Sequence, residues 1–100
     1  MAQLNGGSQN FTGTGSVNVG PASKPITVYS YSFLSGGGGA GVVILKDTNS
    51  SGAERHEKTG VTSTGTTVVF GPTGKFFPSG CNLTIDSNTT YVDVDFALQA

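Results

Sequence analysis

Apolar residues recur along much of this chain at every second position, the period of a β-strand with one covered face. The clearest case is Thr90–Leu98, where Val92, Val94 and Phe96 fall on one side and Tyr91, Asp93 and Asp95 on the other. Cys81–Ile85 repeats the pattern, with Cys81, Leu83 and Ile85 predicted inward and Asn82, Thr84 and Asp86 outward. Thr62–Gly71 sets Thr64, Thr66, Val68 and Phe70 against Thr67 and Val69. Two stretches are heavier. In Pro25–Leu34, strict alternation groups Ile26 and Val28 with Ser30, Ser32 and Leu34, and Thr27 with Tyr29, Tyr31 and Phe33. Neither set is cleanly polar, so both faces are expected to meet protein. Gly41–Asp47 holds the unbroken apolar run Val42–Leu45, and burial on both faces is expected there too.

Turn residues punctuate these runs: Gly20-Pro21, Ser35 with Gly36–Gly39, Thr48–Gly52, Gly71-Pro72-Thr73-Gly74, Pro78-Ser79-Gly80 and Asp86-Ser87-Asn88. Ala53–Thr59 gathers most of the charge and is predicted to be an exposed edge strand, where charge blocks unwanted pairing. Residues 1–10 are polar and contain glycine, and Phe11–Val19 alternates only weakly. Residues 1–24 are therefore expected to form a flexible N-terminal arm, its second half an edge strand or a segment that orders on a neighbour. Residues 25–100 are expected to form the folded domain. No segment carries apolar residues at helical spacing over three turns. The fold predicted is all-β, an antiparallel β-sandwich or jelly-roll-like barrel of about seven strands.

Composition changes the picture in one respect. Only 11% of residues are charged, the net charge is −1, and glycine occurs 16 times, with Ser, Thr and Asn filling the surface. Disorder pairs low hydrophobicity with high net charge, and that combination is missing here. A nearly neutral, charge-poor β surface instead suits packing against copies of itself. There is no basic stripe to attract nucleic acid, and no apolar run near the ~20 residues that span a bilayer. Met1–Asn10 has neither the basic nor the apolar part of a secretory signal. Cys81 is the single cysteine, so no internal disulfide is expected.

The candidates for chemistry are few. His56 is the single histidine and sits among Glu54, Arg55, Glu57 and Lys58, so a solvated surface position is expected. Cys81 shares the inward set with Leu83 and Ile85 and is expected to act as a small core residue. Asp93 and Asp95 share a face, two positions apart. That spacing does not wrap a calcium ion, but it suits a Lys or Arg from a neighbouring subunit. Gly36–Gly39 lacks the Gly-Lys-Ser/Thr ending of a phosphate loop. Tyr29, Tyr31 and Tyr91 suit a half-buried interface, or stacking against a sugar, as well as a core. The expected interface set is thus Tyr29, Tyr31, Tyr91, Asp93 and Asp95, with no catalytic residue, no metal ligand set and no cofactor.

Two segments, VYSYSFLSGGGGAGVVILKD (Val28–Asp47) and FFPSGCNLTIDSNTTYVDVDF (Phe76–Phe96), resemble small β-sandwich virion proteins of tailed bacteriophages. The resemblance covers residues 26–96, and the Phe77-Pro78-Ser79-Gly80 turn is its most specific element. It implies a non-enzymatic virion subunit, above all a capsid decoration (cement) protein on the phage head surface, made in the host bacterial cytoplasm. The implied partners are the major capsid protein or other virion proteins, with self-association, a trimer being one form. A carbohydrate-binding or neck- or tail-associated module is the alternative. The chain departs from many decoration proteins in lacking a long N-terminal arm with an ordered pattern.

Overall fold

The computed structural model describes residues 4–99 and contains nine strands. They are β1 (Leu4–Thr12), β2 (Gly15–Val19), β3 (Ile26–Ser35), β4 (Val42–Asp47), β5 (Glu54–Thr59), β6 (Gly65–Val69), β7 (Lys75–Phe77), β8 (Cys81–Ile85) and β9 (Thr89–Gln99). One sheet runs β1-β9-β3-β6, with β7 continuing β6 along the same side of β3, and the other runs β2-β8-β4-β5. All pairings are antiparallel. Chain-order neighbours β1 and β2, β2 and β3, β3 and β4, β5 and β6, β7 and β8, and β8 and β9 lie in opposite sheets. This order is that of a jelly roll, two Greek keys wound into a double sheet.

The predicted class is therefore the observed one, with more strands than the seven expected. The difference lies mainly at the N-terminus. Leu4–Thr12 pairs with β9 along its whole length, from Leu4 opposite Gln99 to Thr12 opposite Tyr91. Gly15–Val19 pairs with β8. Residues expected to be an arm thus supply one edge strand to each sheet, and Phe11 and Val19 enter the core. Residues 1–3 of that arm lie outside the described residues. The connection that carries the chain from β1 in one sheet to β2 in the other passes through Gly13 and Gly15, at φ of 101° and 124°, values that L side chains rarely adopt.

The second difference lies in β3. Between Val28 and Ser30 the pairing with β9 shifts by one residue, leaving Tyr29 as a bulge. A one-residue slip reverses the side-chain alternation. Ile26 and Val28 before the bulge, and Tyr31, Phe33 and Ser35 after it, all become buried. After the bulge the strand has one inward face; before it Thr27 is buried as well, so both faces are covered over Ile26–Val28 only. The bulge also divides its partner: β7 pairs with Ile26–Val28 and β6 with Ser30–Leu34. In β4, Val43 and Leu45 are fully buried while Val42 and Ile44 are half-buried on the outer surface. Its apolar run therefore also has one core face.

The core joins Val19, Leu83, Ile85, Val43 and Leu45 of one sheet to Phe11, Ile26, Val28, Tyr31, Phe33, Phe77, Val92 and Val94 of the other. Fully burying each large side chain contributes about 1.5–3 kcal/mol before the cost of ordering the chain. The glycine joint is held firmly. Gly36 N donates to Asn88 O at 2.7 Å and Gly41 N to Ser35 Oγ at 2.9 Å. Beside it, Asp86 Oδ1 accepts from Val42 N (3.0 Å) and Thr89 Oγ1 (2.7 Å).

Candidate assembly surfaces

The residues singled out for chemistry fall into separate places. His56 lies on β5 opposite Leu45 and so points between the sheets, although its neighbours in sequence are exposed and charged. Its Nε2 is 2.6 Å from the Tyr31 hydroxyl, and its ring meets Phe70 edge-on at 4.9 Å. The expected solvated position is thus corrected: one residue of the charged strand faces inward because of its parity. Burial lowers the His56 pKa, and the nearby Lys75 and Lys58 charges lower it further. Burial pushes the Tyr31 phenol far above its ordinary value. At neutral pH the phenol therefore donates to an uncharged imidazole.

Tyr31 itself is 1% exposed and stacks on Phe33. Expected at an interface, it is instead part of the core. Cys81 is buried as expected, and burial, aided by the Asp47 charge, pushes its thiol up to about 12. The strand β4 separates β8, which carries Cys81, from β5, which carries His56. The two do not form a thiol–imidazole pair. Among the described residues, no cluster of three or more His, Cys, Asp and Glu side chains is placed to hold a metal ion.

Asp93 and Asp95 share the outer face of the β1-β9-β3-β6 sheet. Their neighbours across the strands are Asn10 and Ser32 for Asp93, and Ser8 and Ser30 for Asp95. Asn10 Nδ2 donates to Asp93 Oδ1 at 2.6 Å; the Ser8 hydroxyl donates to Asp95 Oδ1, and the Ser30 hydroxyl to Asp95 Oδ2 at 3.1 Å. Short polar side chains thereby hold both carboxylates flat against the sheet. Tyr91 is half-buried on the same face, opposite Leu34 and Thr12. Tyr29 sits at the bulge, half-buried, with its carbonyl accepting from Phe70 N at 2.9 Å. Of the expected interface set, Tyr91, Asp93 and Asp95 lie together, Tyr29 is displaced from them, and Tyr31 is inside.

The charge of Ala53–Thr59 marks one edge in the sequence, but the pattern does not show which strands share a side of the sandwich with it. On one side β5 and β6–β7 form the sheet edges. Here β5 is charged and bulged at Arg55, and Gly71-Pro72-Thr73-Gly74 interrupts the opposite edge. Arg55 pairs with Asp47 at 2.8 Å and lies 5.2 Å from the centre of the Phe77 ring, while Lys75 lies 5.9 Å from that of Phe70. On the other side, β1 and β2 carry no charged residue and no proline. Between them is a cleft of about 280 Å³, lined by Phe11, Val17, Ile85 and the Thr12–Ser16 turn.

No family model and no curated protein matches the sequence. Several solved structures resemble this chain, among them the following two. The first is from work on Bacillus endospore appendages described as a family of disulfide-linked pili: TM-score 0.55, 7% identity, covering 98% of this chain and 86% of that one. The second is a virus-like particle of the extra small virus of the giant freshwater prawn Macrobrachium rosenbergii. Its TM-score is 0.46 at 11% identity, over 98% of this chain and 79% of that one. At such identities the pilus protein supports the double-sheet fold and nothing finer.

Proposed function

We propose that this chain is a non-enzymatic structural subunit that works in many copies within a larger particle, with a phage virion as the setting and capsid decoration as the specific role. The observation that carries this reading is the outer face built on β1, β9 and β3. It is wide, made of short polar side chains, and its two carboxylates are held in place before any partner arrives. A face ordered in advance loses little freedom on binding. Buried carboxylates would need partners of opposite charge, so the matching surface should offer Lys or Arg to Asp93 and Asp95. Tyr91 and Leu34 supply an apolar margin to the same face.

The groups best suited to catalysis support the same reading. His56 is occupied by Tyr31, and Cys81 is a buried, protonated thiol. A sugar platform finds less support, because Tyr31 is in the core and Tyr29 and Tyr91 lie apart. The protein from the endospore appendages offers a precedent for this fold in a repeating assembly, though not for this chain's partner.

The test is electron microscopy of the parent virion with mass spectrometry of its proteins. The chain is expected on the outside of the head, with Asp93 and Asp95 facing basic residues of the shell. The Asp93→Ala, Asp95→Ala double variant is expected to lower its occupancy on the particle at least tenfold. Absence of the chain from the virion would overturn the reading.

A further inference from the structure

We infer that copies of this chain join through β2, which pairs antiparallel with β2 of a second copy around a twofold axis at Val17. The inference rests on the proposed role as an assembling subunit and names the surface by which copies meet. An edge strand offers a row of backbone donors and acceptors, and the chemistry that satisfies them is another strand. Three observations select this edge and this occupant.

The first is its lack of protection. Natural sheets guard their edges with charge, proline and bulges. The opposite side of this sandwich uses all of these, with Glu54, Arg55, Glu57 and Lys58 on β5, the bulge at Arg55, and Pro72 in the break between β6 and β7. The strand β2, Gly-Ser-Val-Asn-Val, uses none.

The second is self-complementarity. With Val17 opposite itself, Ser16 faces Asn18 of the second copy and Gly15 faces Val19 of the second copy. Opposed residues then lie on matching faces. Ser16 and Asn18 both point outward, where they already bond to Thr84 and Asn82 at 3.1 and 3.2 Å. Residues 15, 17 and 19 all point toward the core side, in register with Ile85, Leu83 and Cys81. No charge meets a like charge, so a second copy meets no electrostatic penalty on this edge.

The third is the cleft. Val17 is 37% exposed although it lies on the core face of its sheet, because the cleft beside it is open. In the paired arrangement, Val17 of the second copy lies at the mouth of that cleft, next to Phe11 and Ile85. The two β2-β8-β4-β5 sheets become one continuous sheet with its inner face toward a single side.

Disulfide trapping tests this directly. Directly opposed residues of an antiparallel pair have Cα atoms about 4.5–5.5 Å apart, within the roughly 4.4–6.8 Å that a disulfide spans. Val17→Cys is expected to give a covalent dimer in most of the protein on mild oxidation. Val61→Cys, in the exposed loop between β5 and β6, is expected to give at least tenfold less. Cys81 is buried and serves as an internal control. Sedimentation of the unaltered chain is run alongside. If it self-associates but Val17→Cys gives no more dimer than Val61→Cys, the β2 contact is wrong and the assembling role stands. If it stays monomeric at every concentration and on the particle, the contact between copies is wrong while attachment to the shell stands; absence from the particle removes both.

Discussion

The two long sides of this sandwich solve the same problem in opposite ways. Along β5 and β6–β7 the gap between the sheets is sealed by side chains. His56, Tyr31 and Phe70 close it at one level, and Arg55 over Phe77 at another. Charge and a broken strand then keep other chains from pairing there. Along β1 and β2 the gap is bridged at one level, where Gln9 Oε1 accepts from Gly20 N at 2.7 Å, but beside Val17 it stays open, and neither edge strand carries charge or proline. A lone domain gains nothing from leaving one side unfinished. A subunit does, because the missing closure can come from its neighbour. The difference in protection between the sides, more than the fold, points to assembly.

Substitutions should divide along that line, and the largest effect is expected on the sealed side. Tyr31→Ala removes a buried ring that stacks on Phe33 and meets His56 and Phe70. It should cost about 3–5 kcal/mol in urea unfolding, the range for large buried aromatic residues. Val17→Ala on the open side should cost less than about 1 kcal/mol in the monomer. Equal losses would mean that the open side is as well packed as the sealed one.

Gly60→Ala should come next. A Cβ there would lie 2.7 Å from Ser35 Oγ and 2.8 Å from Phe33 Cε2, both on buried residues. Overpacking of this kind costs about 1–3 kcal/mol, read as a lower urea midpoint at an unchanged slope.

The pH dependence of the sealed side is smaller. Burial and the Lys75 and Lys58 charges lower the folded pKa of His56 below its ordinary 6.5. The unfolded chain therefore takes up the proton first. Stability contributed by His56 should be complete above about pH 6.5. It should fall as the pH drops below that value, and level off once the folded imidazole also protonates. His56→Gln should remove this part of the acid sensitivity, seen as a smaller loss of stability between pH 7 and 5 than in the unaltered chain. An unchanged profile would mean that His56 is not held neutral.

The smallest effect should be Val61→Asp. Val61 is 64% exposed in a loop, and the change should stay within about 0.5 kcal/mol.

The strands that carry their own pattern were legible in the sequence, and those that borrow their stability were not. Alternation in Cys81–Ile85 and Thr90–Leu98 matched the inward residues Leu83, Ile85, Val92 and Val94, because one apolar face leaves little choice of register. β1 and β2 contain few apolar residues and owe their place to pairing with β9 and β8, a long-range effect absent from local pattern. Tyr29 defeated strict alternation in β3, since a bulge shifts parity without any necessary mark in composition. With the shift, Tyr31 moved from the expected interface to the core. His56 was hidden by its charged neighbours, although alternation along β5 would have put it opposite to Arg55 and Glu57. Asp93 and Asp95 were read correctly as outward residues, but their Ser8, Asn10 and Ser30 partners come from strands far away in sequence.

Hydrogen exchange at low and high protein concentration tests most directly whether the open side is the assembly side. Amides of Gly15–Val19 are expected to gain protection, at least tenfold in rate, as concentration rises, while those of Glu54–Thr59 and Gly65–Val69 do not change. Gains confined to β5 and β6, with β2 exchanging at the same rate throughout, would contradict assembly through the open side.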